Sequence, residues 1–277
     1  MEINNINKKS PILEYYKPKN RFIGIVSIPH SGENIPDEFL PFLTNIEKDL
    51  LQDVDYRVHE LVDIKELQEN GIAVIKSNIS RVAIDLNRSK ELALLNWKNN
   101  SKGKKIVISE PSEDKSFELL ETYYSPYFDI INTLCKELLG KMSIASFIDL
   151  HSMPGVAEDY HMKINPTQEK IRPDFCISNI NMDKGSSCER DFINNICDEL
   201  QRSYSKVNIN NPYFGGHITR YINDSISSIN NIQIEINRSL YMDEETKILK
   251  NNKELIKNLT HGIIQQMEKY YLKYKIN

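Results

Sequence analysis

Several histidines and carboxylates lie at the points where short apolar runs end, as β-strands would. His30 follows the run 22–28, and His151 follows the run 146–150. In open α/β sheets, ligands bind outside the carboxyl ends of the strands, so polar residues at these points are candidates for a functional site. Six residues lie at or beside such ends: His30, Glu33, Asn87, Arg88, His151 and Glu235.

The residue types at these points are those of a hydrolytic metal site. Two histidines and a carboxylate match the three protein ligands of a catalytic zinc ion, which keeps a fourth position open for water. The metal lowers the pKa of that water to about 7, so a nucleophile forms at neutral pH. A further carboxylate is then needed as general base. Glu235 is notable because it interrupts an apolar strand, where a charge requires a partner.

Each of these residues also has a structural explanation of its own. A single histidine after a strand more often donates a hydrogen bond or caps a turn than binds a metal. The spacing of His30 and Glu33 arises easily by chance in a chain with 39 Asp and Glu residues, and Arg88 is able to pair with any carboxylate. Asp55 lies on a helical pattern and is an ordinary solvated acid on this interpretation. The joint arrangement at four strand ends favours the metal site.

A pair of consecutive glycines, Gly215 and Gly216, precedes His217 in a chain with only 10 glycines. Such a pair allows the backbone to approach a ligand closely or to adopt a positive φ, and a tight hairpin turn explains it equally well. The sequence contains neither a glycine-rich phosphate-binding loop nor the nucleophile elbow of serine hydrolases, so those two classes of site lack support.

The composition is that of a globular protein. The 277 residues include 35 Lys and Arg against 39 Asp and Glu, which gives a formal charge of −4, and 40% are hydrophobic. This mild acidity gives no general attraction to nucleic acid, and no apolar run approaches the roughly 18 residues of a membrane span. Four cysteines without a C-x-x-C spacing indicate reduced thiols. We therefore expect a cytoplasmic protein with neither nucleic acid nor membrane as a partner.

Strand-like and helix-like patterns alternate along the chain, which predicts an α/β fold with helices on both faces of a mixed or mostly parallel sheet. The lysine-rich stretch 90–116 is predicted to be a surface excursion. No linker divides the chain, so we expect one domain over residues 1–277, with 1–20 as an N-terminal extension. The predicted strands are 22–28, 72–75, 82–86, 146–150, 175–177, 207–209 and 232–236, and the predicted helices are 46–67, 117–139 with an interruption near Pro126, 189–203 and 243–271.

Seven motifs in chain order resemble those of the N-formylglutamate amidohydrolase (N-formylglutamate deformylase) family. They extend over nearly the whole chain, and their combination is more specific than any one of them. The motifs are PHSGENIP at 29–36, DVDY at 53–56, SRVAIDLNRS at 80–89, DLHSMPG at 149–155, RPDF at 172–175, NPYFGGHITRY at 211–221 and QIEINRSLYMDE at 233–244.

This resemblance implies a fold similar to that of zinc carboxypeptidases. That fold is a three-layer α-β-α arrangement of the phosphorylase/hydrolase-like type, with a mixed, mostly parallel sheet flanked by helices. The resemblance also implies one divalent metal, Zn²⁺, with His30 and His151 as histidine ligands. The third ligand is either Glu33, which shares a loop with His30, or Asp55, which the family pattern favours.

The resemblance also implies roles for the neighbouring residues. Glu235 occupies the general-base position, and Asp85 resembles the aspartate that orients the first histidine ligand. Asn87 and Arg88 look like an Asn-Arg pair that grips the carboxylate of a substrate, which a bidentate guanidinium suits. The other residues expected to bind substrate are Arg81, Gly215, Gly216, His217 and Arg220.

The function implied is metal-dependent hydrolysis of the amide of a small acidic N-acyl amino acid. For this family the reaction converts N-formylglutamate to glutamate and formate and belongs to histidine degradation. Two alternatives remain open from the sequence. One is a carboxypeptidase-like or deacylase activity on another acylated amino acid or a peptide. The other is a non-catalytic amino-acid-binding protein whose two histidines are structural.

Overall fold

The structure, a computed structural model, describes residues 7–181 and 185–276. Its strands are β1 (Asn7–Lys9), β2 (Leu13–Tyr16), β3 (Gly24–Ile28), β4 (Ile72–Ser77), β5 (Ala145–Met153), β6 (Phe175–Ser178), β7 (Ile180–Asn181), β8 (Gly185–Ser186), β9 (Val207–Ile209) and β10 (Ile229–Asn237). Its α-helices are α1 (Glu47–Leu50), α2 (Ile64–Glu69), α3 (Lys90–Ala93), α4 (Glu113–Tyr123), α5 (Ser125–Leu139), α6 (Asp159–Ile164), α7 (Arg190–Gln201), α8 (His217–Ser225) and α9 (Lys253–Tyr274). Short 3-10 helices cover Asp37–Phe42, Val58–Glu60 and Arg238–Leu240.

Eight of these strands form one mixed sheet in the order β1-β2-β4-β3-β5-β10-β6-β9, and β7 pairs with β8 separately. The four neighbours β4, β3, β5 and β10 run parallel to one another. Their carboxyl ends therefore lie along one edge of the sheet, where a site is expected. The segment expected to be an N-terminal extension contributes β1 and β2, and β2 pairs antiparallel to β4.

Helices cover both faces of the sheet, which confirms the predicted three-layer α-β-α architecture. Successive strand residues point to opposite faces. Ile25 accordingly packs in a core with buried residues of α4, α5 and α8, whereas its neighbour Val26 packs in a second core with buried residues of α2, α7 and α9. All nine residues of β5 and all nine of β10 are buried. The polar residues within these two strands consequently need partners inside the protein.

Two of the predicted elements are wrong, and both lie beside the parallel strand ends. The helix expected over 46–67 is broken, because turns separate α1 from α2. The backbone N–H of Asp55 donates to the carbonyl of His30 at 3.1 Å, so the loop after β3 holds this segment instead of helical hydrogen bonds. The strand expected over 82–86 is a series of turns in which Ile84 forms only an isolated bridge with Leu94.

The long helical patterns are confirmed with adjusted ends. The interruption expected near Pro126 is the junction between α4 and α5, where Pro126 occupies the first turn of α5. Helix α9 begins at Lys253, later than expected, because the acidic cluster at 243–245 lies in a loop. A hydrogen bond closes this loop, in which the N–H of Asp243 donates to the carbonyl of Ile248 at 2.9 Å. Among the described residues, no helix combines the length and the apolar character that crossing a bilayer requires.

Candidate active site

The edge formed by the parallel strand ends holds a buried cluster of His30, Asp55 and His151. His30 lies in the loop after β3, His151 lies within β5, and Asp55 lies in the turns between α1 and α2. Each of the three offers one ligand atom, and these atoms all lie within 4.8 Å of one another. The two imidazole rings meet edge to face with their centroids 4.8 Å apart.

The loop that carries His30 requires glycine at position 32. A Cβ atom on Gly32 would lie 2.3 Å from the backbone carbon of Asn78, in the loop after β4. The two loops pair laterally, since the N–H of Asn34 donates to the carbonyl of Asn78 at 3.1 Å and the N–H of Ser80 donates to the carbonyl of Asn34 at 2.8 Å. This close approach joins the His30 loop to the segment that carries Arg81, Asp85 and Arg88.

A second carboxylate stands behind each histidine. Nε2 of His30 lies 2.8 Å from Oδ1 of Asp85, and Nε2 of His151 lies 2.8 Å from Oδ2 of Asp149. Ser27 donates to the other oxygen of Asp149 at 2.7 Å. The contact between His151 and Asp149 is a hydrogen bond, whereas that between His30 and Asp85 is a close contact of the two groups. Each Nδ1 is left facing Asp55, and a carboxylate behind the ring is a common arrangement for metal-ligating histidines.

The two Nδ1 atoms converge on one oxygen of Asp55. Oδ2 of Asp55 lies 3.2 Å from Nδ1 of His151 and 3.8 Å from Nδ1 of His30. The other oxygen, Oδ1, accepts from Nη2 of Arg238 at 3.1 Å and lies 3.6 Å from Nη1 of Arg81. The carboxylate is thus held by guanidinium groups on one side and presents its second oxygen to the histidines.

The electrostatic environment treats the two histidines differently. Burial, reinforced by the charge of Arg81, lowers the pKa of His30 to about 4, so this ring is neutral at pH 7. Burial also opposes a charge on His151, but Asp149 and Asp55 outweigh it and raise the pKa of His151 well above its usual value. Burial disfavours the charge of Asp55, yet His151 and Arg81 hold the pKa of Asp55 below its usual value.

The residues present fit a divalent metal. Nδ1 of His30 is buried and has no hydrogen-bond partner among the described residues, although it faces a carboxylate oxygen. Two imidazole nitrogens and one carboxylate oxygen are a donor set that zinc and similar ions accept. Glu33 lies outside the cluster, because its side chain is 36% exposed and its Oε1 is 4.0 Å from Nε of Arg57.

A cleft of about 260 Å³ lies next to the cluster. The cluster itself is buried behind the wall of this cleft, and Arg81, Arg238 and Ser152, which contact Asp55, line the cleft. A more open hollow of about 590 Å³ shares Arg88, Trp97 and Tyr160 with the cleft and extends to residues 98–103. The cleft is the space from which a small molecule would reach the cluster.

Glu235 lines this cleft and is a neighbour of His151. The two residues are paired in register on β10 and β5. Oε1 of Glu235 accepts a hydrogen bond from Nε2 of Gln233 at 2.9 Å. Burial raises the pKa of the Glu235 carboxyl, while the charge of His151 opposes the shift. A carboxyl group in this setting is suited to accept and release a proton.

Of the residues expected to bind substrate, Arg81, Asn87, Arg88 and Gly216 line the cleft. Gly216 is required for packing, since a Cβ atom there would lie 2.2 Å from Nδ2 of Asn87. Its N–H donates to Oε1 of Gln233 at 2.9 Å. The structure therefore brings these residues to one place through direct contacts.

Three other expected binding residues do not line the cleft: Gly215, His217 and Arg220. Gly215 packs closely against Thr219 and the carbonyl oxygen of Ile180. Nε2 of His217 lies 3.1 Å from the hydroxyl of Tyr124, and the ring packs edge to face against Phe128. The two glycines therefore allow α8 to pack closely against its neighbours, and of the two only Gly216 lines the cleft.

Sequence reasoning missed several residues of the site. Asp149 precedes His151 by two positions, so both side chains point to the same face of β5, and this alternation was the available signal. Trp97 belongs to the predicted surface excursion, but its Nε1 donates to Oδ2 of Asp85 at 3.0 Å and its ring covers Arg81 at 4.9 Å. Three further residues that line the cleft also lie within motifs of the sequence: Arg172, Tyr213 and Arg238.

Two known proteins that are similar to the chain in sequence are N-formylglutamate deformylases. The chain is 27% identical over 233 residues to N-formylglutamate deformylase of Pseudomonas putida, covering 79% of this chain and 82% of that protein. It is 25% identical over 234 residues to N-formylglutamate deformylase of Pseudomonas aeruginosa, covering 80% of this chain and 82% of that protein.

The fold is similar to that in a crystal structure of N-formylglutamate amidohydrolase from Ralstonia eutropha JMP134. The TM-score is 0.82 at 21% identity, with 95% of this chain and 100% of that chain covered. The sequence model of N-formylglutamate amidohydrolase matches residues 24–242, which is most of the chain and includes every member of the buried cluster. The protein therefore belongs to the N-formylglutamate amidohydrolase family.

Proposed function

We propose that the protein hydrolyses the formyl amide of N-formylglutamate to glutamate and formate, as a metal-dependent step of histidine degradation. The observation that carries this proposal is the convergence of His30, Asp55 and His151 directly beside Glu235, in a member of an amidohydrolase family. Nδ1 of each histidine and Oδ2 of Asp55 would hold the metal, which is Zn²⁺ in our proposal.

The residues behind the cluster prepare it for a cation. Asp85 and Asp149 lie at the Nε2 atoms, so Nδ1 is the nitrogen that each ring turns toward the cation. A cation would have to displace the proton that Asp149 and Asp55 favour on His151. A divalent metal, when bound, acts as a Lewis acid on the substrate carbonyl and lowers the pKa of water. Arg81 and Arg238 hold Oδ1 of Asp55, which keeps Oδ2 directed at the histidines.

Glu235 is the proton carrier in this proposal. It removes a proton from the attacking water as the oxygen bonds to the formyl carbon, and it delivers that proton to the amide nitrogen as the C–N bond breaks. The amine of glutamate and formate are released. Because burial raises the pKa of Glu235, the carboxyl group is able to retain the proton between the two transfers. The hydrogen bond from Gln233 fixes the orientation of the carboxyl group.

The cleft suits a small anionic substrate. Four arginines line it, although the chain as a whole has a formal charge of −4. Its volume of about 260 Å³ is below the roughly 300–1,000 Å³ of sites for drug-sized ligands, which favours a formylated amino acid over a peptide. A peptide would have to extend past Trp97 into the larger hollow.

Formate release from N-formylglutamate by the purified protein tests the proposal, with N-acetylglutamate and a glutamate-ending dipeptide as parallel substrates. We expect N-formylglutamate to be hydrolysed fastest, about one metal ion per chain, and loss of activity with a chelator that zinc restores. Hydrolysis of the dipeptide in preference to the formyl amide would favour the carboxypeptidase-like alternative. A protein that binds no metal and turns over none of the three would contradict the proposal.

A further inference from the structure

Four arginine side chains line the cleft, but only two of them are paired with carboxylates. Arg81 contacts Asp55 and Asp85, and Arg238 contacts Asp55. Within residues 7–181 and 185–276, no ion pair joins Arg88 or Arg172 to a carboxylate, whereas the ion pairs of Arg81 and Arg238 are at most 3.6 Å long. The cleft thus contains two guanidinium groups whose charge is available to a bound anion.

Arg172 is the more unusual of these two groups because it is only 2% exposed. Its direct hydrogen-bond partners are neutral: Nε and Nη2 donate to Oε1 of Gln168 at 3.3 and 3.0 Å, and Nη1 lies 3.5 Å from the carbonyl oxygen of Pro154. The guanidinium carbon lies 5.0 Å from the centre of the Tyr213 ring. The charge of Arg172 acts on the buried carboxyl of Glu235, whose pKa it helps to lower, but no ion pair joins the two groups. A buried charge without a direct ion pair is costly, and a ligand carboxylate would compensate it.

The guanidinium of Arg172 is held in a fixed orientation. Nε2 of Gln168 donates to the carbonyls of His161 and Asn165, at 2.6 and 3.1 Å, which turns its oxygen toward Arg172. The backbone N–H of Arg172 donates to the carbonyl of Gly155 at 2.9 Å. A guanidinium held in this way is prepared for bidentate binding of a carboxylate at little entropic cost.

The two unpaired arginines enter the site from different segments. Arg172 precedes β6, and because β6 runs antiparallel to β10, this position lies at the edge where β10 ends. Arg88 follows Asn87, whose Nδ2 lies 3.4 Å from Oε1 of Gln233, and Gln233 in turn binds Glu235. The Asn87–Arg88 segment is therefore linked to the proton carrier. The α-carboxylate is assigned to this segment because Asn87 and Arg88 resemble an Asn-Arg pair that grips the carboxylate of a substrate.

We propose that Arg172 determines specificity by binding the side-chain carboxylate of the substrate, while Arg88 binds the α-carboxylate. This inference rests on the proposed function and adds to it the reason for selecting a dicarboxylic amino acid. An acyl amino acid with a neutral side chain would leave the buried charge of Arg172 uncompensated, and the cleft would reject it for that reason.

Selectivity ratios test this assignment, because a ratio is unaffected by the fraction of enzyme that is folded. kcat/KM is measured for N-formylglutamate, for N-formylglutamine, which lacks the side-chain charge, and for N-formylisoglutamine, which lacks the α-carboxylate charge. We expect Arg172→Gln to lower the ratio of N-formylglutamate to N-formylglutamine by about 100-fold. Arg88→Gln should instead lower the ratio of N-formylglutamate to N-formylisoglutamine by a similar factor.

Arg202→Gln is the matched control, since the Arg202 side chain is 70% exposed at the C-terminal end of α7, and both ratios should stay unchanged. An equal loss on all three substrates in Arg172→Gln would show a structural role and overturn the proposal. If Arg172→Gln lowered only the ratio of N-formylglutamate to N-formylisoglutamine, the roles of Arg172 and Arg88 would be exchanged. That result would overturn the proposal as well.

Failure of the proposed function is distinguishable from failure of this inference. If the wild-type protein hydrolyses none of the formyl amides, the role of Arg172 is still testable. The affinities for free glutamate and free glutamine are then measured by calorimetry. We expect the wild type to prefer glutamate and Arg172→Gln to lose that preference. Equal binding of the two amino acids by the wild type would overturn the role of Arg172.

Discussion

Glu235 and His151 stand side by side in register on the parallel strands β10 and β5, with Glu235 lining the cleft and His151 buried behind it. This relationship places the proposed proton carrier next to a proposed metal ligand on two neighbouring central strands of the sheet. Both strands are buried along their whole length, so the relative position of the two side chains is set by the backbone.

Glu235→Gln should separate catalysis from metal binding. Glutamine fills the same space but does not accept a proton, so we expect kcat to fall by about 10³-fold while the metal content stays at that of the wild type. Formate release and elemental analysis measure the two quantities. Glu254→Gln, at a side chain that is 75% exposed on α9, serves as the control. Activity of Glu235→Gln within tenfold of the wild type would refute the assignment.

Asp55→Asn and Glu33→Gln should differ in metal content. Asp55 lies between the two histidines, whereas Glu33 lies outside the cluster near Arg57. We expect Asp55→Asn to lose most of its metal and Glu33→Gln to retain about one ion per chain. Equilibrium dialysis followed by elemental analysis reports both values. Loss of metal from Glu33→Gln with retention in Asp55→Asn would reverse the choice of third ligand.

Metal binding should release a proton and become tighter as the pH rises. In the metal-free protein, Asp149 and Asp55 hold the pKa of His151 well above its usual value despite burial, so the ring carries a proton at pH 7 that a metal must displace. The apparent affinity should therefore rise about tenfold per pH unit through pH 7. His30, with its pKa lowered to about 4, adds a second proton only in acid.

Calorimetry of zinc binding in buffers with different ionisation enthalpies measures this proton release. We expect about one proton per chain at pH 7. An affinity that does not change between pH 6 and 8 would show that His151 is already neutral in the metal-free protein.

Gly32→Ala should destabilise the protein, and Gly262→Ala should not. The Cβ atom of the first variant meets the Asn78 backbone at 2.3 Å, so the paired loops must separate. We expect a loss of roughly 1–3 kcal/mol in the free energy of unfolding. In α9, the Cβ atom at position 262 lies 3.4 Å from Cγ of Glu199, a movable side chain, and alanine should stabilise the helix by up to about 1 kcal/mol. Denaturant unfolding of both variants compares the two, and equal stabilities would contradict the argument.

Local patterns in the sequence were sufficient to predict the central strands and the residues at their ends. The apolar runs around residues 25, 148 and 234 correspond to β3, β5 and β10, because strands buried on both faces are continuously apolar. His30, His151 and Glu235 follow from these runs, since polar residues at such positions meet at one edge of a parallel sheet. Asp149 was predictable in the same way, because residues two positions apart on a strand point to the same face and Asp149 lies two positions before His151.

Only the tertiary structure decided where Asp55 lies and which arginines form ion pairs with carboxylates. Asp55 lies on a helical pattern, yet the carbonyl of His30 and the guanidinium groups of Arg81 and Arg238 hold it in a turn beside the histidines. Arg81 lines the cleft and forms ion pairs with two carboxylates, whereas Arg172 forms no ion pair with a carboxylate among the described residues. Periodicity records which face of an element is buried. It carries no record of which distant side chain neutralises a charge, because that pairing forms only when separate loops meet.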